Sequence, residues 1–178
     1  MPDLRHQLES SLQGRVGFIG LGNLDYGDDG FGVCLAEELI AEGVPDVIIA
    51  GTAPDRWIGQ AGRSDHVVFL DAVEFGGEPG SVVFLDCAQI ATRFPQISTH
   101  KISLGLLAQW AESNGTTKAW LLGVQPQSLK PAPQLTPALQ KTLEALCDLL
   151  KTCTPDAGRG VPAPPCRVKL GRELEVNP

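Results

Sequence analysis

Arg15-Val16-Gly17-Phe18-Ile19-Gly20-Leu21-Gly22-Asn23-Leu24-Asp25-Tyr26-Gly27-Asp28-Asp29-Gly30-Phe31-Gly32 is the stretch that decides the fold. Residues 15–20 are an apolar run ending in glycine, the pattern of a buried strand closed by a turn. From Gly22 to Asp29 the chain is polar and punctuated by glycine, which reads as a loop. Apolar positions then return at helical spacing from about Gly30 to Glu42, placing Ala36, Leu39, Ile40 and Gly43 on one face. A carboxylate at Asp28 or Asp29 suits the start of that helix, because it can accept unpaired amide N–H groups and faces the positive end of the helix dipole.

Working outward, the alternation repeats. Residues 46–51 predict a second strand, and 54–62 a short helix with Pro54 near its first turn. Residues 66–71 and 81–86 predict two more strands. A helix over 103–113 carries Leu104, Leu107, Ala108 and Ala111 at helical spacing. Residues 118–124 predict the last strand, and a helix from about 134 to 151 bears Leu135, Leu139, Leu143, Leu146 and Leu150 on one stripe. Strand alternating with helix predicts a mostly parallel sheet covered on both faces. The connection Ala72–Gly80 is too short for a parallel crossover, which needs about a dozen residues or more. The fourth strand is therefore expected to run antiparallel. The fold class is α/β, a three-layer α/β/α sandwich with a five-stranded sheet. Residues 1–14 read as a polar leader with room for one short helix, and 15–151 as a single domain. Residues 152–178 include the Pro- and Gly-rich Pro155–Pro165 and are expected to be a disordered tail.

The chain has 178 residues, 43% of them hydrophobic and 20% charged, which suits one soluble domain with its own core. A formal net charge of -7 repels phosphate backbones and anionic bilayers, so neither nucleic acid nor a membrane is an expected partner. The five cysteines are odd in number and contain no C-x-x-C pair, which supports neither a disulfide framework nor a thiolate zinc site. A reducing cytoplasm is the expected setting. The N-terminus lacks the pattern of a secretion signal, and the apolar run Val16–Leu21 is too short to span a bilayer. The oligomeric state is not legible, and a monomer is compatible with everything above.

In a parallel sheet, ligands gather at the carboxyl ends of the strands. Loops after Gly20, Gly51, Asp71 and Val124 reach that edge and bring Asp28, Asp29, Asp71 and Gln125 to it. His100 precedes the helix that begins near Ser103. An antiparallel fourth strand exits at the opposite edge, so Cys87–Thr99 has to climb back for His100 to meet the aspartates. Val-Val-Phe-Leu-Asp occurs twice, ending at Asp71 and Asp86. Only direction separates the copies: an antiparallel second copy carries Asp86 to the far edge, about 16 Å away at the rise of a strand. Two carboxylates, Asp71 with Asp28 or Asp29, and the His100 imidazole then make a mixed oxygen and nitrogen set, able to hold a divalent metal with positions open for water and substrate. Each residue also has a plainer role: helix capping for Asp28 and Asp29, loop amides for Asp71, a helix start for His100. His6 and His66, and Trp57, Trp110 and Trp120, read as structural or surface groups. No G-x-S-x-G elbow or catalytic cysteine context occurs. Gly20-Leu21-Gly22 begins a dinucleotide fingerprint, but Asp25 stands at the third glycine. The second strand ends Ala50-Gly51-Thr52 without a ribose-binding acid, and two carboxylates would repel a pyrophosphate.

Gly22-Asn23-Leu24-Asp25-Tyr26-Gly27-Asp28-Asp29-Gly30-Phe31-Gly32 resembles the G-N-x-x-x-x-D-D-G-x-G signature of nickel–iron hydrogenase maturation proteases. Leu70-Asp71-Ala72, Thr99-His100 and Leu122-Gly123-Val124-Gln125-Pro126 resemble that family's remaining motifs, in the same order and over about residues 15–150. The likeness leans toward the branch that processes formate-hydrogenlyase-type hydrogenases. The resemblance implies an endopeptidase that removes a C-terminal extension from a hydrogenase large-subunit precursor after nickel insertion. It implies Asp29, Asp71 and His100 as catalytic residues and nickel ligands, with the nickel supplied by the substrate. Asn23, Asp28 and Gln125 would bind substrate or support the ligands, with Asp28 also a candidate general base. The competing readings are a non-catalytic module that recognises a metalloenzyme precursor, and a dinucleotide-binding protein. Asp25 departs from the family's usual apolar residue at that position.

Overall fold

The computed structural model describes residues 3–61, 63–94 and 103–153. Its strands are β1 (Val16–Leu21), β2 (Val47–Gly51), β3 (His66–Ala72), β4 (Val82–Asp86) and β5 (Lys118–Val124). Its helices are α1 (Leu4–Ser11), α2 (Phe31–Ala41), α3 (Ile58–Ala61), α4 (Cys87–Arg93), α5 (Leu104–Ala111) and α6 (Pro137–Cys153). A 3-10 turn, Gly27–Gly30, leads into α2. The strand order is β2-β1-β3-β5-β4. β1, β2, β3 and β5 run parallel, and β4 pairs antiparallel with β5, as the short Ala72–Gly80 connection requires.

Alternation along the strands divides the core into two layers. Phe18, Val68, Leu70, Leu122 and Val124 face α2 and α6, meeting Leu35, Leu39, Leu139, Leu143, Leu146 and Leu150. Ile19, Leu21, Val67, Phe69, Ala119 and Leu121 face the other way, against Ile90, Leu104, Leu107 and Ala108 of α4 and α5. The predicted three layers are therefore present.

Three features depart from the sequence expectation. Residues 3–12 are more than a polar leader, since α1 places Leu8 at 0% and Leu12 at 4% exposure in the same core as α6. Burying a leucine contributes about 1.5–3 kcal/mol, enough to hold an otherwise polar helix on the domain. The connector after β4 starts with a helix, α4, initiated by a capping box. The Gln89 amide donates to Asp86 Oδ1 at 2.8 Å, and the Asp86 amide donates to Gln89 Oε1 at 3.0 Å. On α2, burial ends at Leu39, and the last turn with Ile40 projects into solvent. The expected tail beyond residue 153 and the expected His100 segment lie outside the described residues. No described helix is long and apolar enough to cross a membrane.

The chain goes from β1 outward to β2, then crosses back to place β3 on the other side of β1. The strand order therefore reverses between β1 and β3, and a crevice opens above their carboxyl ends. The loop after β1 and the end of β3 are the two sides of that crevice.

Candidate active site

Two glycines set the first side. Gly22 has φ +123°, and a Cβ built there would lie 1.8 Å from the Asp29 carbonyl oxygen. A Cβ on Gly32 would lie 1.9 Å from the Leu70 carbonyl oxygen. Only hydrogen at these positions lets the Gly27–Gly30 turn and the start of α2 seat directly on the ends of β1 and β3. The glycines of the sequence motif are thus close-approach residues, placed so that Asp29 arrives beside the strand that ends in Asp71.

Asp29 and Asp71 are buried, at 5% and 4% exposure. Asp29 Oδ2 accepts the Asn23 amide N–H at 3.0 Å. Asp71 Oδ1 is buried with no hydrogen-bond partner. Burial, joined by the nearby Asp29 charge, pushes the Asp71 carboxyl well above the usual carboxylate range, while the Ala72 amide opposes the shift. A buried carboxyl oxygen without a partner is rare because it forfeits its hydration. Asp71 also lies beside the buried Asp29, two carboxylates repel each other when both are ionised, and a divalent cation between them would relieve both the repulsion and the Asp71 penalty. The donor set therefore fits a hard or borderline metal. Among the described residues no group of three or more His, Cys, Asp or Glu side chains is gathered to hold one. The third expected ligand, His100, lies outside the described residues.

Asp86 is where direction predicted it. It pairs with Trp120 on β5, whereas Asp71 pairs with Gly123. The offset is three residues, about 10 Å along the strand. That is less than the expected 16 Å because neither aspartate reaches an end of β5: Asp71 pairs one residue inside Val124, and Asp86 pairs two residues inside Lys118. Asp86 caps α4 and takes no part in the crevice.

The three supporting residues are all at the edge, and each binds backbone. Asn23 Oδ1 accepts the Asp25 amide at 3.0 Å, which folds the loop on itself. Gln125, 8% exposed, accepts three successive amides through Oε1: Phe75 at 2.9 Å, Gly76 at 3.0 Å and Gly77 at 3.2 Å. It thereby pins the loop that leaves Asp71. Asp28 is fully buried. Its Oδ2 accepts the amides of Gln127 (2.9 Å) and Ser128 (3.1 Å) and the Thr136 hydroxyl (3.0 Å), and its Oδ1 accepts the Thr136 amide (2.7 Å). Four protein donors thus converge on this carboxylate, three on Oδ2 and one on Oδ1. Thr136, Gln127 and Ser128 carry no sequence signal for this contact, which joins residues about a hundred positions apart.

The histidine and tryptophan expectations divide. The Trp120 indole N–H donates to His66 Nδ1 at 3.1 Å, and the Trp120 ring stacks on Phe84 with centroids 4.9 Å apart, so both are structural. Trp110 is 48% exposed on α5 and Trp57 is partly buried.

Fold and site define an α/β protein with a buried pair of carboxylic acids at the topological switch point. The HycI model, described as hydrogenase maturation protease, matches residues 33–152. The chain belongs to the hydrogenase maturation protease family, and is accordingly a peptidase. It is 27% identical over 152 residues to the hydrogenase 2 maturation protease of Escherichia coli, covering 81% of this chain and 93% of that protein. It is 35% identical over 111 residues to the hydrogenase 3 maturation protease of the same organism, covering 60% of this chain and 69% of that protein. The crystal structure of the [NiFe] hydrogenase maturation protease HycI from Thermococcus kodakarensis superposes with a TM-score of 0.72 at 30% identity, over 85% of this chain and 98% of that one.

Proposed function

We propose that this protein is an endopeptidase that removes the C-terminal extension of a nickel–iron hydrogenase large-subunit precursor once nickel has been inserted. The observation that carries the reading is the Asp29–Asp71 pair, buried at the switch point with one carboxyl oxygen lacking any partner. An isolated protein keeps such a site only at a cost in stability, and an arriving cation relieves it. In this reading nickel is part of the substrate. Asp29 and Asp71 contact it, and His100 supplies the third ligand. Nickel held by these residues would supply Lewis-acid polarisation, of the scissile carbonyl or of the attacking water. The chain's own work is to orient the precursor in the crevice and to hold the two acids close together in a site poor in water. Gln125 holds the loop beside Asp71, and Asn23 fixes Asp29 through its amide. The cytoplasm is the proposed location, in keeping with an odd number of cysteines and no C-x-x-C pair.

The test incubates purified protein with nickel-loaded and with nickel-free precursor and follows the large subunit by mass. A shortened subunit from the loaded precursor alone is expected. Equal cleavage of both removes nickel from the reading. A stable complex with no shortening makes the protein a binding module instead.

A further inference from the structure

Asp28 and Asp29 are consecutive residues of one 3-10 turn, and their carboxylates do different things. Asp29 joins Asp71 and accepts the Asn23 amide. Asp28 reaches into the segment after β5 and gathers the Gln127, Ser128 and Thr136 donors. Backbone contacts run alongside it: the Gly27 amide donates to the Ala132 carbonyl at 2.9 Å, and the Ala132 amide donates to the Asp25 carbonyl at 3.1 Å. The turn that carries Asp29 is thus fastened to residues 127–136 on one side and to the strand ends on the other. We infer that Asp28 is a positioning residue, a buried clasp that sets the place of Asp29 opposite Asp71 by locking the turn against the 127–136 segment, and not the general base. This rests on the peptidase reading above.

The geometry excludes the base role on elementary grounds. A general base needs a free lone pair within reach of water or substrate. Asp28 is fully buried, its Oδ2 holds three protein donors, and its Oδ1 faces the Thr136 amide in the interior, out of reach of the crevice solvent. Reaching water or substrate would require the turn to leave the 127–136 segment and give up these bonds together. The same rigidity makes the clasp useful, because displacements of about 1 Å at a reacting centre are enough to slow a reaction by roughly a hundredfold.

The experiment uses the full chain with the nickel-loaded precursor. Thr136→Val removes one bond to Asp28 and keeps the backbone amide and the side-chain shape, whereas Thr136→Ser keeps the hydroxyl. Two readouts are taken well below each variant's melting temperature: kcat against KM, and the amide resonance of Asn23, which donates to Asp29 and touches neither Thr136 nor Asp28 in the hydrogen bonds described. Thr136→Val is expected to lower kcat about tenfold with KM within twofold of wild type, and to move the Asn23 resonance. Thr136→Ser restores both. Asp28→Asn, which sets an NH2 group against N–H donors, gives a larger loss of kcat and the same movement. If Thr136→Val and Asp28→Asn lower the melting temperature but leave kcat and the Asn23 resonance unchanged, the clasp is purely structural and the inference fails. If Asp28→Asn abolishes turnover while the Asn23 resonance stays in place, Asp28 acts chemically and the inference also fails. Absence of cleavage by the wild-type protein would instead overturn the peptidase reading, and the resonance would still report on the clasp.

Discussion

At the scale of single residues, Asp71 is unlike every other acid described. Its environment is good for a metal and poor for a lone charge. The sign of its effect on stability follows from linkage. The folded-state pKa lies well above the ordinary aspartate value of 3.8, so the native protein binds more protons than the unfolded chain over the interval between the two. Stability is full below about pH 3.8 and declines as pH rises toward the folded pKa, the reverse of an ordinary salt-bridged aspartate. Asp71→Asn removes the penalty, because a neutral amide has no charge to desolvate. The metal-free variant is therefore expected to melt higher than wild type at neutral pH, with the gap closing as pH falls toward 4, while processing of the precursor is lost. Thermal melts from pH 4 to 8 together with a cleavage assay check both halves. A variant that melts lower than wild type at pH 7 contradicts this account of the site.

Elements bring a different lesson, seen in the two copies of Val-Val-Phe-Leu-Asp. The copies are locally identical, and their strands both form. Parallel β3 delivers its aspartate to the crevice, while antiparallel β4 delivers its own to the N-terminus of α4. Asp86→Ala is expected to cost about 1 kcal/mol, the worth of a helix N-cap, and to leave kcat and KM for the precursor unchanged. Urea denaturation and steady-state cleavage measure the two effects. The contrast with Asp71→Asn, which gains stability and loses turnover, separates a capping acid from a site acid in one chain. The helix α4 was within reach of the sequence, since Asp86-x-x-Gln89 is a capping box in plain view. The docking of α1 was not, because Leu8 and Leu12 show their partners only once α6 is in place.

On the scale of the whole molecule, one contact decides whether the two sides of the crevice meet. Gly32 brings α2 against the end of β3 at a distance that excludes any side chain. Gly32→Ala forces the helix outward or the strand end away, and is expected to destabilise the protein by at least about 1–3 kcal/mol. It also separates Asp29 from Asp71, so precursor cleavage falls even in the fraction that remains folded. Melting measurements and activity per folded molecule test the coupling, and wild-type turnover in a destabilised variant would break it.

The five strands in their chain order, the antiparallel direction of β4 and the delivery of Asp71, not Asp86, to the crevice edge were settled by the sequence alone, because they depend on local periodicity and on the length of one connection. So was the arrival of Asp28, Asp29, Asp71 and Gln125 at one edge, since strand direction determines which loops share it. Tertiary structure decided what each of them does there. Asp28 and Asp29 are neighbours in the chain with the same side chain, and only packing sends one to a clasp of four donors and leaves the other beside Asp71. Hydrogen-bond partners a hundred residues away and the loss of water around a carboxyl group are properties of the folded volume, and no local pattern of residue types encodes them.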